Sequence, residues 1–250
     1  MQIDYISDLH LDFHVPFESP LWPLELSQFL SKLLPEKFGD ILILAGDLSH
    51  YNEQSYMILN FFGSLYDQVL FVMGNHDYYL LPGESTFENS KQREEDLLAY
   101  VKDSSKVHCL SYFETFEYNG VTFVGATSWY PLQSEREKHV FYNHMNDCKL
   151  IREFDIAATH QLEMNAFAAL APVDVLITHM PPTRIDSHDF WGSTDCFLNT
   201  LPSSAAKIFI FGHCHEQHIY EKDDAYYCIN ALGYPREGLK QKIRSINITV

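Results

Sequence analysis

Short apolar runs alternate with amphipathic segments along most of the chain. The apolar runs are rich in Ile, Val, Phe and Tyr, which is typical of buried β-strands. The pattern predicts strands at residues 3–6, 41–45, 69–73, 121–125, 175–178, 208–211, 226–229 and 246–250. It predicts helices at residues 24–34, 53–66, 88–103, 156–170 and 195–204.

The order of these elements predicts an α/β fold. Strands and helices alternate as β-α-β-α-β at the start of the chain, which indicates a largely parallel sheet with helices outside it. Later strands follow one another without helices between them, so we expect a second sheet packed on the first. The chain has 250 residues, and we expect one domain over residues 1–250. Residues 80–106 are polar, acidic and helical in pattern, and we expect a helical insertion there, by default a surface helix and alternatively a lid or a partner surface.

Clusters of Asp, Asn and His lie directly after five of the predicted strands. In an open α/β sheet, ligands bind at the carboxyl ends of the parallel strands, so these clusters are expected to converge on one place. In chain order the clusters hold Asp8 and His10, then Asp47, then Asn75, His76 and Asp77, then His179, and finally His213 and His215.

These residue types point to a metal centre. Carboxylate, imidazole and amide oxygen are ligands of borderline divalent metals such as Mn, Fe, Zn and Co, and no thiolate is required. The Asp-x-His and His-x-His spacings place the two outer residues on the same side of an extended segment. Gly46, Gly74 and Gly212 stand just before ligands, where glycine permits tight turns and close approach of the backbone.

Composition narrows the class of protein. The formal net charge is −17, which argues against a general binder of nucleic acid or anionic membranes. A phosphate substrate stays possible, because divalent cations reverse the local field. The five cysteines form no CxxC pair and are expected to be reduced thiols. We find no signal-peptide pattern and no apolar stretch near the roughly 20 residues of a membrane span, so we expect a cytoplasmic protein.

Taken in order, the motifs resemble the signature of the calcineurin-like metallophosphoesterase family. That signature is Asp-x-His, Gly-Asp, Gly-Asn-His-Asp, a lone His and Gly-His-x-His, and it runs here from Asp8 to His215. Residues 178–182 resemble the family's Thr-His-His-Pro-Pro stretch, with Met180 in place of the second His. Residues 125–129 and 145–147 resemble segments of uncharacterised bacterial members. The resemblance implies a four-layer α/β/β/α sandwich of two mixed sheets flanked by helices.

The resemblance also implies roles for the clustered residues. Two divalent ions (Mn, Fe, Zn or Co, with Mn the expected activator in vitro) would share Asp47, and a bridging hydroxide would attack phosphorus. The first ion would be held by Asp8, His10, Asp47 and His215, and the second by Asp47, Asn75, His179 and His213. His76 would protonate the leaving oxygen or stabilise its charge. Asp77 would orient His76, which makes these two the candidate catalytic residues.

Several functions are compatible with such a centre. The favoured one is hydrolysis of a small phosphomonoester or phosphodiester. A nuclease is disfavoured by the acidic charge and by the absence of a Lys/Arg-rich stripe. A non-catalytic scaffold is disfavoured by the intact Gly-Asn-His-Asp motif, and hydrolysis of a lipid-linked pyrophosphate by the acidic residues 80–106.

Some properties cannot be read from these motifs. They do not select the substrate, a monoester over a diester, the native metals or the oligomeric state. They leave open the roles of residues 80–106 and of the loop 183–195. The remaining histidines are expected to be surface or core residues without a role in the site; these are His14, His50, His108, His139, His144, His160 and His218.

Overall fold

In the computed structural model, two stacked β-sheets carry helices on both outer faces. The structure describes residues 1–83, 85–184, 197–240 and 242–249. Within these residues the strands form one sheet of five strands and one of six. Both sheets contain parallel and antiparallel pairs, which confirms the expected four-layer sandwich of two mixed sheets.

The first sheet holds the strands that precede three of the polar clusters. Its strands are β1 (Gln2–Ile6), β2 (Ile41–Ala45), β3 (Gln68–Val72), β4 (Val107–Cys109) and β11 (Arg244–Asn247). Their order across the sheet is β11-β1-β2-β3-β4. Strands β1 to β4 run parallel, whereas β11 pairs antiparallel with β1. The carboxyl ends of β1, β2 and β3 therefore meet at one edge.

The second sheet holds the strands that precede the other two clusters. Its strands are β5 (Glu114–Tyr118), β6 (Val121–Ala126), β7 (Val173–Thr178), β8 (Ala206–Phe211), β9 (Gln217–Lys222) and β10 (Ala225–Asn230). Their order is β5-β6-β7-β8-β10-β9, with the four inner strands parallel and the two edge strands antiparallel to their neighbours. A parallel bridge between Ser7 and Ala231 joins the ends of β1 and β10.

Helices cover the outer faces of both sheets. They are α1 (Leu11–His14), α2 (Trp22–Leu33), α3 (Asn52–Gly63), α4 (Ser90–Val101), α5 (Glu135–His144), α6 (Asp147–Leu150) and α7 (Ile156–Phe167). Helices α2, α3 and α4 pack on the first sheet, and α7 packs on the second. Short 3₁₀ turns lie at Asn75–Tyr78, Ser203–Ala205 and Pro235–Glu237. Among the described helices, none combines the length and the apolar character needed to cross a bilayer.

Strand β2 shows why the central strands are continuous apolar runs. Successive side chains of a strand point to opposite faces of the sheet. Ile41 and Ile43 pack between the two sheets, while Leu42 and Leu44 pack under the helices. Because both faces of β2 are covered, every position needs an apolar side chain, and all five residues of the strand are buried.

Three of the described strands were missed by the sequence analysis because these strands contain no apolar run. Strands β5 and β9 are the edges of the second sheet, and most of their residues are exposed or half-buried. Strand β4 has only three residues. The helix predicted at residues 195–204 is wrong where the structure describes it, since only Ser203–Ala205 form a 3₁₀ turn. Pro202 disfavours helical geometry at the residue before it. Residues 195 and 196 lie outside the described part of the chain.

The helix within residues 80–106 is tied to the core by a buried arginine. Arg93 of α4 is 1% exposed. Its guanidinium donates hydrogen bonds to Asn52 Oδ1 (3.0 Å), to the Ser49 carbonyl (2.8 Å) and to the Tyr79 carbonyl. Helix α4 thus holds together the loops that follow β2 and β3, and its polar sequence includes this buried charge.

Glu163 of α7 makes the fold sensitive to pH. Its buried carboxylate accepts the backbone N–H groups of Ser128 (3.1 Å) and Trp129 (2.7 Å). Burial raises the pKa of Glu163 from 4.5 to about 8. Between these pH values the folded state binds a proton that the unfolded state has released, so this group contributes less stability as pH rises.

We expect Glu163→Ala to flatten the fall in unfolding free energy between about pH 5 and pH 8. The comparison is of urea midpoints for the metal-free wild type and the variant at several pH values. Glu53→Ala, which removes an exposed carboxylate, is the control and should keep the wild-type slope. An identical slope in Glu163→Ala would show that Glu163 keeps an ordinary pKa.

Candidate metal centre

The seven predicted ligands are brought together at one edge of the sandwich, where parallel strands of both sheets end. They lie in the turns that follow the strands: Asp8 and His10 after β1, Asp47 after β2, Asn75 after β3, His179 after β7, and His213 and His215 after β8. Because strand ends from both sheets converge here, the site lies at the junction between the two sheets.

Three of these residues form a first group. His10 Nε2 lies 3.0 Å from His215 Nε2, and His215 Nε2 lies 3.7 Å from Asp8 Oδ1. One ligand atom from each of Asp8, His10 and His215 fits within 4.8 Å of the others. Two imidazole nitrogens and a carboxylate oxygen at this spacing could hold one cation.

A second group surrounds the amide of Asn75. Its Oδ1 lies 3.1 Å from His179 Nε2 and 3.2 Å from His213 Nδ1. The Nδ1 atom of His179 is within 2.9 Å of the Ala45 carbonyl, so it carries the proton and leaves Nε2 as the ligating nitrogen. An amide oxygen and two imidazoles therefore face the same point.

Asp47 lies between the two groups. Its Oδ2 is 3.5 Å from His10 Nε2 and 3.4 Å from His179 Nε2. Its Oδ1 accepts the backbone N–H of His76 at 2.9 Å. One oxygen of Asp47 therefore faces both groups while the other is held by the backbone.

The donor set fits divalent cations. Asp8 and Asp47 are 0% and 1% exposed. Burial raises the pKa of Asp8, whereas His179 and His76 hold the pKa of Asp47 well below its usual range despite burial. The groups described above that contact the Asp8 and Asp47 carboxylates are imidazoles and backbone amides. Such groups offset a buried negative charge less well than a cation does. The cluster is built from oxygen and nitrogen donors, as borderline metals require.

A carboxylate outside the predicted set supports one of the imidazoles. Glu237 Oε2 lies 2.9 Å from His215 Nδ1, which fixes the ring and leaves Nε2 as the nitrogen available to a cation. Glu237 also accepts the backbone N–H of Tyr234 at 2.8 Å. Sequence reasoning missed Glu237 because it lies 22 residues from His215 and belongs to no local motif.

At several residues of the site the backbone adopts a left-handed conformation, which residues other than glycine rarely adopt. Five of the seven predicted ligands have positive φ: Asp8 (51°), His10 (41°), Asp47 (57°), His213 (71°) and His215 (49°). Non-glycine residues seldom occupy this left-handed region, and each such residue costs free energy. The turns after β1, β2 and β8 use it to point their side chains into the common centre.

Two glycines make room for these ligands. A Cβ atom on Gly46 would lie 2.4 Å from His179 Nδ1, and the φ of Gly46 is +87°. A Cβ atom on Gly74 would lie 2.1 Å from Asp47 Oδ1. The structure therefore explains the glycines before the ligands by close approach of side chains, in addition to the turn at Gly46.

Asp77 has a different place from the one expected. Its carboxylate accepts the backbone N–H groups of Asp47 (2.9 Å), Leu48 (3.0 Å) and Gly74 (2.8 Å). These bonds tie the turn after β2 to the turn after β3. Asp77 therefore positions the backbone that carries the ligands, and a different residue lies against the ring of His76.

That residue is His50, which sequence analysis placed among the histidines without a role. His50 Nε2 lies 2.8 Å from His76 Nδ1, and His50 Nδ1 lies 2.7 Å from Asp12 Oδ2. The His50 backbone N–H also donates to Asp12 Oδ1 at 3.1 Å. Asp12, His50 and His76 thus form a hydrogen-bonded chain that leads to the site and leaves His76 Nε2 outside this chain of bonds.

The site opens to solvent on one side. His76 and the predicted ligands His213 and His215 are half-buried, whereas the other five predicted ligands are buried. Phe13 is 48% exposed and its ring lies 4.8 Å from that of Tyr234, which stacks on His10 at 4.6 Å. These partly exposed side chains mark the accessible side of the cluster.

Part of the loop after His179 is described. Met180, which replaces the second histidine of the Thr-His-His-Pro-Pro pattern, is fully buried and donates its backbone N–H to the Thr127 carbonyl at 3.0 Å. It is a core residue at the end of β7. The loop residues Asp186, His188 and Trp191 lie outside the described residues.

The sequence matches a known family. The model of the calcineurin-like phosphoesterase family matches residues 1–217. Uncharacterized protein L509 of Acanthamoeba polyphaga mimivirus is 22% identical over 271 aligned positions, which cover 93% of this chain and 91% of that protein. The symmetrical bis(5'-nucleosyl)-tetraphosphatase of Buchnera aphidicola subsp. Baizongia pistaciae (strain Bp) is 34% identical over 92 residues, 37% of this chain and 30% of that protein.

The fold also matches a solved structure. Phosphopantetheinyl hydrolase from Mycobacterium tuberculosis superimposes with a TM-score of 0.70 at 18% sequence identity, over 98% of this chain and 95% of that protein. At this identity the likeness concerns the fold. It agrees with the two sheets and flanking helices described above.

Proposed function

Because this chain belongs to the calcineurin-like phosphoesterase family, we propose that it hydrolyses a small phosphomonoester or phosphodiester with two divalent metal ions. The family is one of metal-dependent hydrolases that act on phosphate esters. The observation that best supports a pair of ions is the position of Asp47 Oδ2, which faces His10 at 3.5 Å and His179 at 3.4 Å. One carboxylate then serves both halves of the centre.

The seven ligands divide between the two ions in this proposal. Asp8, His10 and His215 hold the first ion, Asn75, His179 and His213 hold the second, and Asp47 is shared. Divalent cations there supply Lewis acidity, which makes water more acidic and offsets negative charge on phosphoryl oxygens. The donor set accepts Mn, Fe, Zn or Co, and Mn is the ion we would use first in an assay.

His76 acts on the leaving group in this proposal. Burial lowers the pKa of His76 to about 3, so the ring alone is neutral near pH 7. His50 Nδ1 is paired with Asp12, so His50 turns its Nε2 toward His76 Nδ1. Donation from His76 Nε2 to the leaving oxygen therefore requires one additional proton, shared between the His50 and His76 rings. The Asp12 carboxylate lies beside His50, where it can balance the positive charge of that proton.

The substrate is expected to be small and to lie against the half-buried histidines. The chain's charge of −17 disfavours long polyanions, which counts against the nuclease alternative. The similarity to a bis(5'-nucleosyl)-tetraphosphatase makes dinucleoside polyphosphates worth including among the candidates. We place the reaction in the cytoplasm, as the reduced cysteines suggested.

A substrate panel with Mn²⁺ tests the proposed function. It compares p-nitrophenyl phosphate, bis-p-nitrophenyl phosphate, cyclic nucleotides, dinucleoside polyphosphates and single-stranded DNA. Turnover of a small ester that EDTA abolishes and Mn²⁺ restores is the expected result. Cleavage of DNA at physiological salt would support the nuclease instead. Bound metal without turnover of any ester would support the scaffold.

We expect His76→Ala to lower turnover by about 10²- to 10⁴-fold, the usual contribution of general acid–base catalysis. The variant should still bind two metal ions per chain, because His76 is outside the proposed ligand set. Steady-state kinetics and elemental analysis of the same preparation measure both. His108→Ala, which removes a partly buried histidine on β4, is the control and should keep wild-type turnover. Unchanged turnover in His76→Ala would contradict this role.

A further inference from the structure

The side-chain amide of Asn75 has a partner that decides which of its ends faces the centre. We propose that Asp147 is a positioning residue that holds the Asn75 amide with its oxygen, and not its nitrogen, toward His179 and His213. This role presupposes the second metal site of the proposed function, since Asn75 is a ligand there.

Asn75 needs such a partner more than the other ligands do. The oxygen and the NH₂ group of an amide are nearly the same size, but only the oxygen has a lone pair for a cation. A half-turn of the amide would replace the ligand atom by two N–H donors. The carboxylates of Asp8 and Asp47 present an oxygen in either orientation, so they carry no such ambiguity.

The geometry around Asn75 selects one orientation. Its Nδ2 donates to Asp147 Oδ1 at 2.9 Å, while its Oδ1 lies 3.1 Å from His179 Nε2 and 3.2 Å from His213 Nδ1. The two oxygens of Asp147 already accept the hydroxyl groups of Tyr79 and Tyr130, so Asp147 meets Asn75 as an acceptor, which pairs with the NH₂ group and not with the carbonyl oxygen. With Asp147 on one side, the amide oxygen is left for the other side.

Asp147 is itself held firmly. It is 2% exposed at the start of α6. The Tyr79 hydroxyl donates to its Oδ1 at 2.5 Å, and the Tyr130 hydroxyl donates to its Oδ2 at 2.6 Å. The carboxyl group therefore accepts three hydrogen bonds, which hold it in one orientation. Because these donors come from separate parts of the chain, Asp147 fixes Asn75 across 72 residues of sequence.

Three variants separate the proposed role from a merely structural one. Asp147→Leu removes the acceptor, and we expect it to weaken binding of the second ion by about 10- to 100-fold. Asp147→Asn can still turn an amide oxygen toward Asn75, so it should bind two ions. Tyr130→Phe is the matched control, since it removes a bond to Asp147 but leaves the bond between Asp147 and Asn75 in place.

The measurement is binding of Mn²⁺ alone to the metal-free full chain. Calorimetric titration counts the ions and their affinities, and thermal unfolding with and without Mn²⁺ measures how much the metal stabilises each variant. A structural role would lower the melting temperature equally in both conditions. The positioning role lowers the metal-induced increase in melting temperature in Asp147→Leu and preserves that increase in Tyr130→Phe.

Two results would overturn the positioning role. One is Asp147→Leu binding both ions with wild-type affinity. The other is Asp147→Asn losing the second ion, since the charge and not the acceptor would then be responsible. If Asp147→Leu does not fold, Asp147→Ala is measured in the same way. A wild-type chain that binds no Mn²⁺ would contradict the proposed function, which is distinct from either result.

Discussion

Asp47→Asn is expected to abolish binding of both metal ions and to lower turnover by more than about 10³-fold, since Lewis-acid stabilisation contributes several kcal/mol to such reactions. The substitution preserves size and shape. Asp47 Oδ1 accepts the His76 backbone N–H at 2.9 Å, so an amide at this position would keep its oxygen there. Its NH₂ group would then point at His10 and His179, where Oδ2 now lies.

Asp8→Asn is the matched comparison for this variant. In the proposed division of the ligands Asp8 holds the first ion only, so its loss should remove one ion and leave the other bound. Elemental analysis after loading with Mn²⁺ and desalting gives the number of ions per chain, and a phosphate-ester assay gives the turnover. Two ions retained by Asp47→Asn would refute the shared position of Asp47.

Gly74→Ala is expected to lower turnover by at least about 10²-fold, because misplacement of a reacting group by about 1 Å has this effect. The φ of Gly74 is −98°, a value that alanine adopts without strain. The whole effect is therefore steric. The new Cβ would lie 2.1 Å from Asp47 Oδ1 and 2.7 Å from His179 Cε1, so it would displace two proposed ligands at once.

Gly83→Ala is the control for the glycine substitution. Gly83 has a φ of +90° and open space around its Cα, so alanine there is strained but meets no atom within 4 Å. It should lower stability slightly and leave metal binding and turnover unchanged. Wild-type turnover in Gly74→Ala, measured beside a thermal melt of each protein, would show that the turn after β3 can shift without disturbing Asp47.

The sequence was informative wherever structure follows from neighbouring residues. Strands such as β2 are buried on both faces, so they appear in the sequence as continuous apolar runs, which are easily recognised. The ligands were found because each follows a strand by a few residues. Edge strands β5 and β9 face solvent and alternate irregularly, so they left no such signal.

Support for the ligands could not be read in the same way. Contacts of His50 with His76 and of Asp147 with Asn75 span 26 and 72 residues, and neither is set by a local motif. Single histidines and aspartates are too common for their spacing to be informative without the fold. Asp77 shows the opposite case. Its place beside His76 in the motif suggested that it orients the His76 ring, but its carboxylate accepts three backbone N–H groups instead.

The place of β1 in the first sheet has a consequence for synthesis on the ribosome. Strand β1 lies between β2 and β11, and His10 must meet His215, which is 205 residues later in the chain. His10 is therefore translated 205 residues before His215, one of its proposed partners. The proposed set of seven ligands is therefore complete only after β8 and the turn that follows it have been translated, and the full centre could bind its metal ions only from that point.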